Sequence, residues 1–380
     1  MHQRPAPAVD GGHPHAQLET PCYLLDPAAV VEDYQRLKSE LGTGLVASLK
    51  ASPTLDLLVR CQHELVDGIE IASLGELNLT VGRITVPRFV NTPAMDLALI
   101  GPALACKATL VADSPRQLRM IAHAAASSRH PVRLALRINA ASLAPEGARR
   151  RDHFGMDVQT LFEQLDALRG QPLKVAGFHV FDGSNTFRDR SQAIAEAMEQ
   201  LVGDLAGHPA VDLQFVNLGG GIPARWQEQG IDFARYRERI AALQRRVTVL
   251  HEAGRALFSR SGKFMTRVIG VKRLDGESVA VCDGGMAQCF ALAQTEDFVK
   301  RPRAPTVVRA DAPPCQFGDE IAAPVTLVGS SCNRADVIGR VDEGSIRPGD
   351  LLVFDHSGAY YSYSPTSFLN LRAAPRYIAS

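Results

Sequence analysis

The chain has 380 residues, of which 46% are hydrophobic, so it is long enough for one large domain or two domains of ordinary size. Lysine plus arginine (41) balances aspartate plus glutamate (41), and no basic cluster alternates with aromatic residues. This composition argues against a nucleic-acid or membrane surface, and we expect a small ligand.

The seven cysteines are an odd number without paired metal-ligand spacing, so no metal site is predicted. Reduced thiols in a cytoplasmic protein fit this pattern best. Residues 1–15 are rich in Pro, Gly and His and lack the apolar core of a signal peptide. We expect these residues to form a flexible tail.

From Thr20 onward, strand-like segments alternate with helix-like segments, which favours a closed (β/α)8 barrel of the TIM type. After Arg255 the pattern changes to short runs separated by Gly, Pro and Asp, as in an antiparallel β domain. The predicted domains are a barrel over 27–261 and a β domain formed by 16–26 with 262–380. The predicted barrel elements are strands at 46–50, 68–71, 88–90, 109–112, 132–138, 175–180 and 215–218, and helices at 27–41, 55–63, 117–126, 158–168, 193–205 and 236–243.

An apolar, strand-like run ends in one lysine in Val46-Ala47-Ser48-Leu49-Lys50, and small residues with Pro53 then stop the strand. A lysine at such a strand end points into a cavity, where desolvation lowers the pKa of its ammonium group. The neutral amine can then attack a carbonyl and form a Schiff base. The stretch alone also fits a lysine that extends from a barrel strand into water.

Three consecutive glycines, Gly219, Gly220 and Gly221, follow the predicted strand at 215–218. Their backbone N–H groups are open to an anion such as a phosphate, although a plain βα turn has the same sequence. The segment His251-Glu252-Ala253-Gly254-Arg255 adds a guanidinium, which suits a phosphate, and a carboxylate, which suits a protonated ring nitrogen.

Lys50, the glycine run, and Glu252 with Arg255 together resemble the fold-type III pyridoxal-phosphate decarboxylases, the ornithine and diaminopimelate decarboxylase family. The resemblance extends from Cys22 to about Tyr377, and further segments match in family order. These segments are 70–76 with Glu70, 136–139 with Arg137, 153–155 with His153, 177–184 with Phe181 and Ser184, 329–332 with Cys332, and 358–360 with Tyr360.

The resemblance implies that pyridoxal 5′-phosphate is bound to Lys50 as a Schiff base and that Glu252 keeps its ring nitrogen protonated. It implies that Cys332 donates a proton from the second subunit, and therefore a homodimer with shared active sites. Taken alone, Cys332 also fits a small buried hydrophobe and Tyr360 fits aromatic packing. The other implied cofactor-binding residues are Glu70, Arg137, Phe181, Ser184, Gly219, Gly220, Gly221, Gly254, Arg255 and Tyr360, and the implied substrate-binding residues are His153, Asn333 and Arg334.

Three departures from the family pattern concern the substrate. Phe181 stands where many relatives have a histidine stacked on the ring, Ala291 where the diaminopimelate branch has a carboxylate-binding arginine, and Asn333 where an acidic residue is usual. The pattern resembles a divergent branch that acts on amino acids tethered to carrier proteins or joined to citrate in natural-product and siderophore assembly. The expected reaction removes the α-carboxylate of an L- or D-amino acid, or of its conjugate, to give an amine.

Three alternatives remain open at this point. The first is a free diamino-acid decarboxylase of the diaminopimelate, ornithine or lysine type. The second is an enzyme like alanine racemase, which is expected to have Arg against the pyridine nitrogen, so Glu252 argues against it. The third is an inactive regulatory homologue, which would be expected to have lost Lys50 or the phosphate ligands.

Overall fold

A computed structural model describes residues 18–126, 132–143, 152–171, 173–289, 303–309, 320–361, 369, 371 and 373–379. The predicted tail at 1–15, and Ala291 and Cys315, lie outside the described residues. The chain divides into two compact units. One unit is Val31–Leu257, and the other combines Met1–Val30 with Phe258–Ser380.

The first unit is a closed barrel of eight parallel strands, β2 to β9, in sequence order. The predicted (β/α)8 barrel is therefore confirmed. Its strands are β2 Gly44–Ser48, β3 Ile69–Ile71, β4 Arg88–Asn91, β5 Thr109–Ala112, β6 Val132–Ile138, β7 Leu173–Val180, β8 Val211–Asn217 and β9 Thr248–Ala253. The helices described with it are α1 Pro27–Leu41, α2 Leu55–Cys61, α3 Leu74–Thr80, α4 Leu97–Ala105, α5 Pro115–Ala125, α6 Ala140–Leu143, α7 Val158–Ala167, α8 Phe187–Asp204, α9 Phe233–Gln244 and α10 Arg255–Phe258.

Side-chain caps fix where several of these helices begin. Ser73 accepts a hydrogen bond from the N–H of Glu76 at 3.1 Å, and the Glu76 carboxylate accepts one from the N–H of Ala72 at 2.7 Å. The predicted helix at 117–126 begins two residues earlier than expected, because Ser114 caps it and Pro115 supplies a preset φ in the first turn.

The prediction that Lys50 ends a barrel strand was off by two residues. Strand β2 ends at Ser48, and Lys50 lies in a single 3-10 turn, Leu49–Ala51, closed by the N–H of Ser52 donating to the carbonyl of Leu49 at 3.0 Å. Within this turn Leu49 and Ala51 are buried, whereas the Lys50 side chain is 46% exposed. The turn therefore places the lysine beyond the end of β2 with its side chain partly exposed.

The second unit contains an eight-stranded sheet in the order β12-β17-β10-β11-β14-β15, with β1 paired to β10 and to β18. Most pairs are antiparallel as predicted, but β1 with β18 and β11 with β14 are parallel, so the sheet is mixed. The strands are β1 Cys22–Leu25, β10 Gly262–Leu274, β11 Glu277–Cys282, β12 Thr306–Val308, β13 Ile321–Ala322, β14 Val325–Val328, β15 Val337–Val341, β16 Ser345–Ile346, β17 Leu351–Phe354 and β18 Arg376–Ile378. A core cluster of this unit is formed by Leu18, Cys22, Met265, Leu351, Val353 and Tyr377.

Within the described ranges, no helix combines the length and apolar character needed to cross a membrane.

Candidate active site

Every barrel strand carries a buried polar residue at or beside its carboxyl end. Active sites of (β/α)8 barrels are built at this end, so these residues define the candidate site. We call them the polar ring: Ser48, Glu70, Asn91, Asp113, Arg137, His179, Asn217 and Glu252.

Two residues before each member of the polar ring lies a small or apolar residue. Because side chains alternate along a strand, residues two apart lie on the same face. The rings of Phe89 and Phe215 meet edge to face with their centroids 5.6 Å apart, and a Cβ on Gly177 would lie only 2.3 Å from the Phe215 ring. We call this deeper layer the floor: Val46, Gly68, Phe89, Val111, Ala135, Gly177, Phe215 and Leu250.

The lysine singled out in the sequence pairs with the glutamate of β3. Lys50 Nζ lies 3.0 Å from Glu70 Oε2 and 3.3 Å from Oε1. The hydroxyl of Ser48 donates to Oε2 at 2.6 Å, and Nδ2 of Asn91 donates to Oε1 at 3.1 Å. Both carboxylate oxygens are therefore held in place, and Glu70 fixes the position of the amine.

Glu252 forms the second buried carboxylate of the ring. Its Oε1 lies 3.0 Å from Nε2 of His179 and accepts a hydrogen bond from Nδ2 of Asn217 at 2.9 Å. Burial raises the pKa of Glu252, but His179, with smaller contributions from Lys50 and Arg137, more than offsets it and lowers the pKa below the usual value. Glu252 is therefore ionised at neutral pH, as a partner of a protonated ring nitrogen must be.

Asn91 and Arg137 link the two carboxylates. Nδ2 of Asn91 lies 3.2 Å from Nε2 of His179, and its Oδ1 lies 3.5 Å from Nη1 of Arg137. Arg137 also pairs with Asp113 at 3.2 Å and covers the Phe154 ring at 4.5 Å. A chain of close polar contacts thus runs from the lysine to Glu252.

The glycine run follows β8 and has a backbone that a side chain would disrupt. Gly219 has φ of +68° and Gly221 of +79°, and a Cβ on either would approach a carbonyl oxygen to 2.3 Å or 2.6 Å respectively. The N–H of Gly219 donates to Oδ1 of Asn217 at 2.9 Å. The N–H groups of Gly220 and Gly221 have no acceptor within the described residues, so two adjacent donors remain for an anion.

These features fit pyridoxal 5′-phosphate. A lysine amine, an ionised buried carboxylate and a pair of unused backbone donors match its aldehyde, its ring nitrogen and its phosphate.

The remaining predicted residues of the barrel unit lie at the ends of their strands, all but Arg255 in loops. Phe181 is half-buried and Ser184 exposed after β7, and Gly254 is half-buried after β9. Arg255 is also half-buried, but it is the first residue of α10 and not part of a loop. His153 is exposed, with its ring centroid 4.1 Å from that of Phe154.

Four predicted residues belong to the β unit. Cys332, Asn333 and Arg334 are exposed in the turn between β14 and β15, and Tyr360 is half-buried with φ of +59° after β17. The Asn333 side chain accepts a hydrogen bond from the N–H of Ala335 at 2.9 Å, so its carboxamide is part of the turn. Buried Asp336 orders the same turn by accepting from the N–H and hydroxyl of Ser331.

Sequence reasoning identified Glu70, Arg137 and Glu252 but did not single out the other five members of the polar ring. These are Ser48, Asn91, Asp113, His179 and Asn217. The sequence contains a pattern that could have identified these five residues. Where each buried strand ends, a polar residue lies two positions after an apolar or small one.

Residues 28–264 match the family model of the pyridoxal-dependent decarboxylases, specifically their pyridoxal binding domain. The chain belongs to this family. Pyridoxal phosphate is its cofactor, and the chain is a pyridoxal-phosphate-dependent amino-acid decarboxylase, as the sequence predicted.

Two relatives cover most of the chain. A diaminopimelate decarboxylase of Deinococcus radiodurans is 28% identical over 92% of this chain and 88% of its own. A 2-[(L-alanin-3-ylcarbamoyl)methyl]-2-hydroxybutanedioate decarboxylase of Staphylococcus aureus is 24% identical over 93% of both chains. Among solved structures, the lysine/ornithine decarboxylase of Vibrio vulnificus complexed with putrescine matches 96% of this chain and 95% of its own, with a TM-score of 0.79 at 22% identity, and so shares the fold.

Proposed function

We propose that the enzyme removes the α-carboxylate of an amino acid whose distal end is neutralised by conjugation, as an amide or a thioester, with Lys50 as the lysine that binds the cofactor. The observation that carries the substrate assignment is Asn333, a neutral residue at the position expected to be acidic in relatives with free diamino-acid substrates. Its carboxamide is neutral and its oxygen already accepts a hydrogen bond from the N–H of Ala335, so it offers no negative charge to a distal ammonium group.

Bound pyridoxal 5′-phosphate supplies a ring that takes up the electrons released as CO2 leaves. Glu252 holds the proton on the ring nitrogen, because its low pKa keeps it a carboxylate and His179 and Asn217 fix its orientation. The N–H groups of Gly220 and Gly221, with the guanidinium of Arg255, bind the phosphate.

The amine of Lys50 binds the cofactor, and Glu70 holds that amine in position. Because Ser48 and Asn91 each donate to one oxygen of Glu70, the carboxylate cannot rotate away from the lysine. Cys332 supplies the proton that replaces the carboxylate at Cα, as the family resemblance implies.

Arg334 follows Asn333 and is exposed, so the turn presents a cation directly after the position where an acidic residue would be expected. A cation at this position favours a substrate whose conjugating group carries carboxylates. The name of the Staphylococcus aureus relative specifies such a compound, an alanine unit joined through an amide to a hydroxybutanedioate. This similarity supports an amide conjugate over a free diamino acid.

The test is a comparison of kcat/KM for CO2 release across a panel of substrates. The panel contains meso-diaminopimelate, lysine, ornithine, a 2,3-diaminopropionate amide of a polycarboxylate, and an aminoacyl thioester on a carrier protein. We expect the amide conjugate to be preferred by at least about 100-fold, the discrimination expected when a distal charge lacks its partner. Efficient turnover of any free diamino acid would contradict the proposal, and preference for the thioester would replace the amide by a carrier-bound substrate.

We also propose a homodimer in which the turn carrying Cys332 serves the partner's barrel. Mixing Lys50→Ala with Cys332→Ala subunits should restore activity through one intact site per heterodimer. No recovery after verified subunit exchange would count against shared sites.

A further inference from the structure

Behind the glycine run lies a buried histidine that the proposed chemistry does not use. His251, on β9, is 1% exposed, and its Nδ1 lies 3.0 Å from the carbonyl oxygen of Gly219. Its Nε2 lies 2.9 Å from the hydroxyl of Tyr236, a residue of α9 that is also 1% exposed. Three buried groups therefore form a chain from a helix to the first glycine.

The partners assign the protons of this chain. A carbonyl oxygen can only accept, so Nδ1 of His251 carries the hydrogen, and Nε2 then accepts from the Tyr236 hydroxyl. Burial lowers the pKa of His251 to about 4, so the ring is neutral at pH 7 and keeps this tautomer.

The carbonyl of Gly219 is held by two donors, His251 Nδ1 and the N–H of Glu252 at 2.9 Å. This carbonyl and the N–H of Gly220 belong to one planar peptide group and point in opposite directions. Fixing the carbonyl therefore fixes the direction of the Gly220 N–H, one of the donors left for an anion.

We propose that Tyr236 and His251 are positioning residues that orient the Gly220 N–H toward the cofactor phosphate. The proposal rests on the assignment of the glycine run as the phosphate site. It predicts that the pair affects binding of the phosphate, and not of the pyridoxal ring.

Three variants isolate the effect. His251→Leu removes the donor to Gly219, His251→Asn places an amide N–H where Nδ1 was, and Tyr236→Phe removes one hydroxyl. Tyr34→Phe is the matched control, because Tyr34 is a buried tyrosine of the same unit whose hydroxyl donates to Asp67 at 2.7 Å.

The measurement is the dissociation constant of the folded apoenzyme for pyridoxal 5′-phosphate and for pyridoxal, with the 31P chemical shift of the bound phosphate as a second readout. His251→Leu should weaken pyridoxal 5′-phosphate binding about 3- to 10-fold, the equivalent of one neutral hydrogen bond, and leave pyridoxal binding unchanged. Tyr236→Phe should show a smaller loss in the same direction, and His251→Asn should bind within about 2-fold of wild type. Tyr34→Phe should lower thermal stability without changing either constant or the 31P shift.

An equal loss for both ligands, or the same loss in Tyr34→Phe, would show that the pair is merely structural and would overturn the proposal. Binding of the two ligands to the wild-type apoenzyme tests the assignment of the phosphate site itself. If the wild-type apoenzyme binds pyridoxal as tightly as pyridoxal 5′-phosphate, the assignment of the glycine run is wrong, and the positioning role falls with it.

Discussion

The floor and the polar ring are two layers of the same eight strands, separated by two residues on each strand, yet they differ completely in chemistry. Val46 lies below Ser48, Phe89 below Asn91, and Leu250 below Glu252. In the floor, Val46, Phe89 and Leu250 form one apolar cluster with Phe215. In the ring, the side chains are equally buried but are joined by hydrogen bonds and ion pairs.

The difference shows how a barrel can bury charge. An ionised group removed from water is tolerated when partners satisfy it, and Glu70 and Glu252 each have at least two. Within the polar ring, one atom lacks such a partner: Nδ1 of His179 is buried and has no hydrogen-bond partner in the described part of the chain. Unsatisfied buried polar atoms are uncommon, so this nitrogen is an exception among the buried polar atoms of the site.

The largest effect is expected at Lys50, which pairs with Glu70 of the polar ring. Lys50→Ala should lower kcat/KM by about 10³-fold or more, because no member of the polar ring has an amine that could replace that of Lys50. Lys38→Ala is the control, since Lys38 on α1 also pairs with a carboxylate, Asp67, at 2.6 Å. Steady-state kinetics on both variants test this, and an equal loss in the two would remove the special role of Lys50.

The second-largest effect is expected from removing the negative charge of Glu252 in the polar ring. Glu252→Gln keeps the shape and the acceptor for Asn217 but removes the negative charge, so kcat should fall about 10²- to 10³-fold while the thermal midpoint changes little. Single-turnover rates measured at saturating cofactor distinguish a slower chemical step from weaker binding of the cofactor. A kcat within about threefold of wild type would mean that Glu252 does not control the ring nitrogen.

The floor should respond in the opposite way. Leu250→Ala leaves a cavity beneath the polar ring, and the free energy of unfolding of the variant should be lower than that of the wild type by about 2–5 kcal/mol. Activity per folded molecule should stay within about threefold of wild type, as checked by urea unfolding and active-site titration. A large loss of kcat with unchanged stability would show that the two layers are not separable.

The smallest effect concerns His251, which lies between Leu250 and Glu252 and therefore faces away from both layers. Its folded-state pKa of about 4 is below the ordinary value of 6.5, so as pH falls through this window the unfolded state takes up a proton that the native state does not. The free energy of unfolding should be highest above about pH 6.5 and fall toward pH 4, by about 1–3 kcal/mol.

His251→Asn should remove this part of the pH dependence. Urea unfolding at intervals from pH 7 to pH 4 measures it for the variant and the wild type. An unchanged slope in His251→Asn would assign the pH dependence to other groups.

The fold was largely predictable because each barrel strand is a short buried run followed by an amphipathic helix. Strands β5 and β6 match their predicted bounds, whereas β8 begins at Val211, four residues before the predicted strand. The prediction missed this first half because polar residues alternate with apolar ones there, so it lacks a continuous apolar run. The mixed β sheet was harder, since the parallel pairing of β1 with β18 joins opposite ends of the chain.

The site was predictable only in part. Glu70, Arg137 and Glu252 could be found because each stands in a segment with a family resemblance. Asn91 and His179 belong to β4 and β7, and their 3.2 Å contact exists because the barrel closes. Local sequence carries no trace of such a contact.

The role proposed for the carboxyl end of the barrel is to bind pyridoxal 5′-phosphate through Lys50. Reduction of the wild-type holoenzyme with borohydride, followed by proteolysis and mass spectrometry of the labelled peptides, tests it most directly. A single pyridoxyl label on Lys50 is the expected result. A label on another lysine, or stoichiometric cofactor that borohydride does not attach to Lys50, would contradict it.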